Sequence, residues 1–127
     1  MNSMKVSIII PVYNEEKTIL KIIKKILKLR YINKELIVVN DGSTDNTKRL
    51  LSTFSNKRIR IINHNKNSGK GAAIRTAQKH ITGTHVIIQD ADLEYEPTDY
   101  KNLLKPFKKK NISAVYGSRV LKKKDIS

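Results

Sequence analysis

Short apolar runs rich in β-branched residues alternate with helical patterns along almost the whole chain. The apolar runs cover residues 6–10, 35–39, 58–62, 85–88 and 112–116, and the helical patterns fall in the segments between them. Because consecutive parallel strands need a crossover, alternation of this kind favours a mostly parallel sheet with helices on both faces. We therefore predict one α/β domain of Rossmann-like architecture that occupies residues 1–127.

The composition narrows the class of protein further. The chain has 127 residues and no cysteine, so it holds one domain without a disulfide framework. Its longest apolar stretch, Val6 to Val12, is far shorter than the roughly 20 residues of a membrane-spanning helix. The N-terminus lacks the apolar core of a signal peptide. These features predict a cytoplasmic protein.

The formal net charge is +15, from 26 basic and 11 acidic residues. Such an excess predicts attraction to nucleotides, to nucleic acid or to an acidic membrane leaflet. The lysines are spread along the chain, however, and a biased coding composition would also account for them. Since the sequence has neither interleaved aromatic residues nor a nucleic-acid-binding motif, we expect no nucleic-acid partner.

Polar residues predict where the first two helices begin. Asn14 is a predicted N-cap, and the charges of Glu15 and Glu16 suit the first turn that follows it. The apolar face of this helix comprises Ile19, Ile22, Ile23, Ile26 and Leu27. Ser43 or Thr44 is the predicted cap of the second helix, whose apolar positions are Thr47, Leu50, Leu51 and Phe54.

An acidic cluster, Gln89-Asp90-Ala91-Asp92-Leu93-Glu94, follows the fourth apolar run. If this segment is extended, Asp90 and Asp92 point to the same side, because alternate residues of a strand share a face. Two close carboxylates repel unless a positive charge lies between them, and the stretch contains no lysine. Oxygen ligands favour Mg²⁺ or Mn²⁺. The pattern therefore predicts a divalent-metal site, with a solvated acidic turn as the alternative.

Several polar residues follow predicted strands, and the carboxyl ends of parallel strands meet at one edge of a sheet. Pro11 is expected to end the first strand. The residues at or just after strand ends are Pro11, Tyr13, Glu15, Asp41, Asp90, Asp92 and Arg119. We therefore expect a ligand site at this edge.

Three sequence features have two possible interpretations each. Asp41 either accepts hydrogen bonds from a uracil or guanine ring N–H or from ribose, or it forms an Asx-turn and helix cap. Arg119 either binds a diphosphate or phosphorylated acceptor, or it is a solvated surface arginine. Gly69-Lys70-Gly71 either cradles a phosphate or allows close packing, and the missing P-loop spacing favours packing.

The three histidines are also considered as metal ligands. His64, His80 and His85 lack the spacing of metal ligands. We expect them to be ordinary surface or strand residues.

Five motifs occur in a fixed order along the chain. They are Pro11-Val12-Tyr13-Asn14-Glu15, Val39-Asn40-Asp41-Gly42-Ser43-Thr44-Asp45, Asn67-Ser68-Gly69-Lys70-Gly71-Ala72-Ala73, Gln89-Asp90-Ala91-Asp92-Leu93 and Gly117-Ser118-Arg119. With these motifs the chain resembles the family 2 glycosyltransferases of GT-A fold, and most of all their dolichyl-phosphate mannose synthase-like branch. The resemblance extends from Lys5 to Arg119.

The resemblance implies roles for individual residues. The pocket for the base and ribose would be lined by Pro11, Tyr13 and Glu15, and the base would be contacted by Val39 and Asp41. The metal pair would be Asp90 and Asp92, with Ala91 close to the nucleotide and Arg119 near the phosphates. Glu94, where the family often has glutamine, would be a further contact to the Mg²⁺ or Mn²⁺ ion.

The resemblance also implies an activity. It is the inverting transfer of a sugar from GDP-mannose or a UDP-sugar to a polyprenyl or dolichyl phosphate or a glycan, in cell-envelope glycan synthesis. A lipid acceptor would bring the protein to the cytoplasmic face of the membrane as a peripheral protein. No residue is identified as a catalytic base.

Catalytic domains of this family are longer than this chain. The resemblance therefore implies a nucleotide-sugar-binding part whose C-terminal acceptor part is missing. Such a chain would work with a partner or as an oligomer, or it would be a catalytically inactive binding module.

Overall fold

The computed structural model describes residues 4–92, Tyr100, and the backbone of residues 114–116 and 119–121. Within these residues the elements follow the order β1 (Lys5–Val12), α1 (Ile19–Leu27), β2 (Asn33–Asn40), α2 (Thr47–Leu51), β3 (Ile59–Asn63), α3 (Lys70–Gln78), β4 (His85–Ile88), β5 (Ala114–Tyr116) and β6 (Arg119–Leu121). The six strands form one sheet in the order β3-β2-β1-β4-β5-β6. Every neighbouring pair is parallel except β5 and β6. The predicted α/β class with a mostly parallel sheet is confirmed.

Strand β1 lies at the centre of the sheet, where the direction of winding changes. Strands β2 and β3 extend from one side of it, and β4 to β6 extend from the other. Ile9 of β1 is in register with Ile37 of β2 and with Ile88 of β4. In sheets of this kind the crevice outside the carboxyl ends at such a switch point is the usual ligand site.

Pro11 does not end β1, which continues to Val12. The Gln89 N–H donates to the Ile9 carbonyl at 2.8 Å, so the polar groups of Ile9 face β4. Pro11 lies two residues further on and faces the same side, beyond the last paired residue of β4. Its missing N–H therefore removes no hydrogen bond from the sheet, and pairing with β2 continues to Val12.

The two faces of the central strands bury two separate apolar clusters. Ile8 and Ile10 point to one face, where they pack with the four isoleucines that α1 buries, Ile19, Ile22, Ile23 and Ile26. Ile9 points to the other face, where it packs with Ala73 and Ala77 of α3. Burial of a large aliphatic side chain contributes about 1.5–3 kcal/mol, so these clusters dominate the stability of the sheet.

The predicted start of α1 was wrong. The helix begins at Ile19 with Thr18 in the N-cap position. Asn14 instead has φ of 51°, and its Oδ1 accepts the N–H groups of Thr44 at 2.7 Å and Asp45 at 3.2 Å. The predicted cap is thus used to join the loop after β1 to the loop after β2.

The predicted caps of α2 were also wrong. Asn46 occupies the N-cap position, and Asp45 Oδ1 accepts the Thr47 N–H at 2.8 Å. Ser43 Oγ accepts the Asn14 N–H at 2.9 Å, because this loop is tied to the one after β1. Phe54 lies beyond the end of α2 and is partly buried against the first apolar cluster.

The C-terminal segment contains one difference from the sequence-based expectation. The five apolar runs did not predict β6, which pairs antiparallel with β5 and extends the sheet to Leu121. One of the helical patterns lies between the fourth and fifth apolar runs, with Pro97 and Thr98 at its predicted start and Leu103, Leu104 and Phe107 as its apolar positions, and these residues lie outside the described ones. Among the described helices, none is long and apolar enough to cross a membrane.

A polar network closes the amino-terminal ends of β1 and β2. Glu35 Oε2 accepts the Ser7 hydroxyl at 2.6 Å and the Thr82 N–H at 2.7 Å. Burial alone would raise the pKa of Glu35, but these hydrogen bonds favour the charged form and hold the pKa below its ordinary value. The Gly83 N–H donates to Ser7 Oγ at 2.9 Å, which brings the backbone of Gly83 directly against β1.

We predict that Gly83→Ala destabilises the protein through this close approach. A Cβ at Gly83 would lie 2.6 Å from Ser7 Oγ and 2.7 Å from the Lys5 carbonyl oxygen. We expect the free energy of unfolding to fall by about 1–3 kcal/mol, measured by urea denaturation. Gly71→Ala in α3 is the matched control, since its Cβ would meet only the end of the Arg75 side chain, at 3.3 Å. It should be neutral or stabilising by up to about 1 kcal/mol, and equal losses in both variants would contradict the prediction.

Candidate active site

A cleft of about 320 Å³ opens at the carboxyl ends of β2, β1 and β4. It is lined by Pro11, Val12, Tyr13, Glu15, Asp41, Asn67, Gly69, Lys70, Ala73, Asp90, Ala91 and Asp92. Seven of the residues predicted from the sequence are in this set, namely Pro11, Tyr13, Glu15, Asp41, Asp90, Ala91 and Asp92. Segments that follow three different strands therefore meet at one edge.

Three predicted site residues are not placed in the lining. Val39 is fully buried in the second apolar cluster beneath the cleft. Arg119 is the first residue of β6, where its backbone pairs with Tyr116. Glu94 lies outside the described residues.

Asp41 follows β2 and is almost fully buried, with a side chain only 5% exposed. Its Oδ1 accepts hydrogen bonds from His64 Nδ1 at 2.8 Å and from the Ser68 N–H at 2.9 Å. Its Oδ2 accepts the Gly69 N–H at 2.8 Å. Asp41 therefore holds the loop between β3 and α3 and does not cap α2, so the helix-cap interpretation of this residue was wrong.

The electrostatics of Asp41 follow from these contacts. Burial by itself would raise the pKa of the carboxyl group, but the hydrogen bonds from His64, Ser68 and Gly69 outweigh it. The pKa of Asp41 consequently lies below its ordinary value, and the group is a carboxylate at neutral pH. A buried carboxylate that lines a cleft is a strong acceptor for a ligand N–H.

Gly42 allows the same loop to approach β2 closely. Its φ of +72° lies in the left-handed region, and a Cβ there would lie 2.4 Å from the Asn67 nitrogen. The Asn40 side chain makes the local turn, because its Oδ1 accepts the Ser43 N–H at 3.2 Å. The Asx-turn considered for Asp41 is thus made by its neighbour.

His64 is a site residue that the sequence analysis missed. Its Nδ1 contacts Asp41, and its Nε2 lies 2.8 Å from Thr76 Oγ1 on α3. Because an ionised carboxylate only accepts hydrogen bonds, Nδ1 carries the proton. The signal that would have found His64 is its position directly after β3, since the ends of β2 and β3 are adjacent.

Lys70, the first residue of α3, reaches the acidic cluster. Its Nζ lies 2.6 Å from Asp90 Oδ1, with the two side chains 45% and 28% exposed. The positive charge that the acidic stretch lacks is therefore supplied by a residue twenty positions earlier. A half-exposed ion pair contributes about 1 kcal/mol or less, so a ligand can replace it at small cost.

Gly69 precedes Lys70 with φ of 97°. A Cβ at this position would meet nothing within 4 Å, so the predicted role in close packing was wrong for this residue. The left-handed backbone is what requires glycine here, and it directs the Gly69 N–H to Asp41.

The described part of the acidic segment, residues 89–92, does not extend β4. Strand β4 ends at Ile88, and Ala91 and Asp92 lie in a turn. The predicted geometry, in which Asp90 and Asp92 share one face of an extended segment, was therefore wrong, although both residues line the cleft. The two carboxylates therefore reach the same cleft without being part of a strand.

Contacts from other segments hold this turn in place. Thr18 Oγ1, at the start of α1, donates to the Ala91 carbonyl at 2.5 Å. Gln89 is buried, and its Nε2 donates to the Asp90 carbonyl at 3.0 Å. The Tyr100 hydroxyl donates to Gln89 Oε1 at 2.5 Å. The backbone of the acidic turn is thus fixed before any ligand binds.

The donor set of the turn is suited to a hard divalent ion. No group of three histidine, aspartate or glutamate side chains converges within the part of the chain that the structure describes. Asp90 and Asp92 are the carboxylates that the segment after β4 supplies to the cleft, whereas Glu15 and Asp41 line it from the segments after β1 and β2. Magnesium is commonly held by one or two carboxylates while substrate phosphates complete its shell, so this pair fits Mg²⁺ or Mn²⁺ bound together with a diphosphate.

Two curated relatives are similar in sequence to this chain over most of its length. The chain is 36% identical over 118 residues to the UDP-Glc:alpha-D-GlcNAc-diphosphoundecaprenol beta-1,3-glucosyltransferase WfgD of Escherichia coli, covering 93% of this chain and 47% of that protein. It is 33% identical over 136 residues to the dolichyl-phosphate beta-glucosyltransferase ALG5A of Trichomonas vaginalis, covering 96% and 42%. Both relatives are named glucosyltransferases, which does not support the mannosyl type that the resemblance implied.

A solved structure shares the fold. The mannosyltransferase PcManGT of Pyrobaculum calidifontis, solved in complex with GDP-Man and Mn²⁺, superimposes with a TM-score of 0.66 at 31% identity. The match covers 77% of this chain and 30% of that one. The chain spans about half the length of the curated relatives it matches.

The family model described as glycosyl transferase family 2 matches residues 7–127, which include every described residue that lines the cleft. The predicted resemblance is confirmed, and the chain belongs to glycosyl transferase family 2 with a GT-A fold.

Proposed function

We propose that the cleft binds a nucleotide diphosphate sugar and that the protein transfers its sugar to a polyprenyl phosphate or a glycan. The observation that carries this proposal is the meeting of Asp41, Lys70 and the Asp90–Asp92 turn in one cleft. The names of two relatives support it, since one is named for UDP-Glc as its donor and the other for dolichyl phosphate.

The cleft offers the donor two groups of polar residues, one after each of the strands that flank β1. Asp41 follows β2, the acidic turn follows β4, and β1 lies between these strands. Tyr13, on the segment after β1, is 43% exposed, so its ring offers a face on which a base can stack. We assign the base to the Asp41 side and the diphosphate to the side of Asp90 and Asp92.

The diphosphate end has to stabilise the negative charge that develops on the leaving group. Lys70 supplies a cation beside the acidic turn, and its ion pair with Asp90 is weak enough to be exchanged for a phosphate. A Mg²⁺ or Mn²⁺ ion held by Asp90 and Asp92 would act as a Lewis acid on the diphosphate. Glu94 and Arg119 are further candidates for this end of the cleft.

The acceptor determines whether a protein base is needed. A polyprenyl phosphate oxygen is already nucleophilic, so direct displacement with inversion at the anomeric carbon requires no base from the chain. A sugar hydroxyl would need a general base, and we assign none among the described residues. For a lipid acceptor, the net charge of +15 suits peripheral binding to an acidic cytoplasmic leaflet.

A second candidate function is binding of the donor without transfer. It is favoured by one observation: among the residues that the structure describes, those that line the cleft lie between Pro11 and Asp92 and belong to the donor side. Positioning of donor and acceptor together supplies about 7–11 kcal/mol of barrier lowering, which a donor site alone does not provide.

The first prediction from the proposed function concerns binding of the nucleotide base. Asp41→Ala should weaken binding of the nucleotide diphosphate by about 1–3 kcal/mol, because a ring N–H is left unpaired in the cleft. It should also lower the thermal unfolding temperature, because three hydrogen bonds to the loop are lost. Both quantities are measured on one variant, by calorimetry and by thermal denaturation.

Asp45→Ala is the matched control for Asp41→Ala. Asp45 also accepts backbone hydrogen bonds, from Thr47 and Glu16, but it does not line the cleft. The control should lose stability and keep most of its nucleotide affinity. If both variants lose affinity equally, Asp41 acts only through the fold.

The second prediction concerns the metal ion. Binding of the nucleotide diphosphate should be tighter in Mn²⁺ than in EDTA by about tenfold or more, equivalent to roughly 1.4 kcal/mol. Asp92→Asn should remove most of this difference, because Asp92 supplies one of the two carboxylates. Asp45→Asn, outside the cleft, should retain it. If the wild-type protein bound the nucleotide diphosphate equally tightly in Mn²⁺ and in EDTA, the proposed metal site would be contradicted.

The third prediction separates the two candidate functions. The purified 127-residue chain is incubated with radiolabelled UDP- or GDP-sugars and polyprenyl phosphate, and product is counted. A donor site acting alone should show nucleotide binding with little or no transfer. Robust turnover by the isolated chain would exclude the binding-only function and support the transferase. Absence of nucleotide binding would argue against both.

A further inference from the structure

We infer that the donor base is uracil and not guanine, and that His64 enforces this choice by filling one acceptor position of Asp41. This inference rests on the proposed function, in which Asp41 contacts the base. It depends on how many hydrogen bonds the Asp41 carboxylate can still accept once the loop between β3 and α3 is in place.

The acceptor positions of Asp41 can be counted. A carboxylate offers four lone-pair positions, two on each oxygen. His64 Nδ1 and the Ser68 N–H occupy both positions of Oδ1, at 2.8 and 2.9 Å. The Gly69 N–H occupies one position of Oδ2, at 2.8 Å. Among the described residues no other group hydrogen-bonds this carboxylate, so one position, on Oδ2, is left for a ligand.

The two candidate bases place different demands on this carboxylate. Uracil presents a single ring N–H between two carbonyl groups, and one acceptor satisfies it. Guanine presents a ring N–H and an adjacent amino group, and a carboxylate satisfies both donors only with one oxygen for each. To bind guanine in that way, Oδ1 would have to release His64 or the Ser68 N–H.

The surrounding contacts oppose such a release. The His64 ring is held from its other side by Thr76 Oγ1, at 2.8 Å, and its backbone N–H donates to the Asn40 carbonyl at 2.8 Å. The Ser68 N–H lies in the loop that packs directly on Gly42. Freeing Oδ1 therefore disturbs β2, α3 and the loop together, whereas a uracil ring N–H needs no rearrangement of Asp41.

The test is calorimetry of the full chain with UDP and with GDP, both in Mn²⁺. We expect UDP to bind at least about tenfold more tightly than GDP, since an unpaired donor in a closed site costs about this much. His64→Phe keeps a ring in the same space but removes the donor to Oδ1, and it should shift the ratio of affinities towards equality. His64→Asn can still donate an amide N–H to Oδ1 and should retain the wild-type preference.

His80→Phe provides the matched control, because His80 follows α3 and is not a hydrogen-bond partner of Asp41. The ratio of UDP to GDP affinity in this variant should equal that of the wild type. Thermal denaturation shows which variants are folded, and His64→Ala replaces His64→Phe if the latter does not fold. If His64 has a purely structural role, His64→Phe would weaken the binding of UDP and of GDP by the same factor. An unchanged ratio of the two affinities would therefore overturn the role of His64 in base selection.

The remaining outcomes are distinct. GDP binding as tightly as UDP, or more tightly, would overturn the inference and leave the proposed nucleotide site standing. Binding of neither nucleotide would overturn the proposed function and the inference with it.

Discussion

The Asp41 carboxylate fixes a loop that has no apolar anchor of its own. Residues 63–70 are all polar, charged or glycine, so burial of apolar surface cannot hold this loop against the sheet. The loop is held instead by three hydrogen bonds to Asp41 and by its close approach to Gly42. Because Asp41 is buried and its pKa is lowered by these contacts, the charge that organises the loop is also available to the cleft.

The same loop connects the two halves of the cleft. Its amide groups bind Asp41 after β2, and the next residue, Lys70, reaches Asp90 after β4. The segment therefore spans the end of β1, which lies between those strands. In the proposed site, a ligand phosphate that attracts Lys70 would act on the residue next to the Gly69 amide that binds Asp41, so one continuous piece of backbone would link the base end to the diphosphate end.

The general architecture could be predicted from the sequence because it depends on local patterns. Runs such as residues 6–10 and 35–39 are apolar on both faces, which suits strands covered by helices on each side, and α1 buries the isoleucines that its periodicity indicates. Parallel strands bring their carboxyl ends to one edge, so the convergence of Tyr13, Asp41 and Asp90 followed without knowledge of any contact. The motifs themselves also identified the family correctly.

The tertiary structure decided which partner each polar side chain uses. Asn14 has the sequence context of a helix cap, yet it binds the backbone of Thr44, thirty residues away. The local sequence does not indicate the partners of Lys70 and His64, because Asp90 and Asp41 are distant in sequence and become neighbours only when the sheet forms. Local sequence determines periodicity and turn preference, whereas the pairing of charges and hydrogen-bonding groups across the cleft is fixed by the order of the strands.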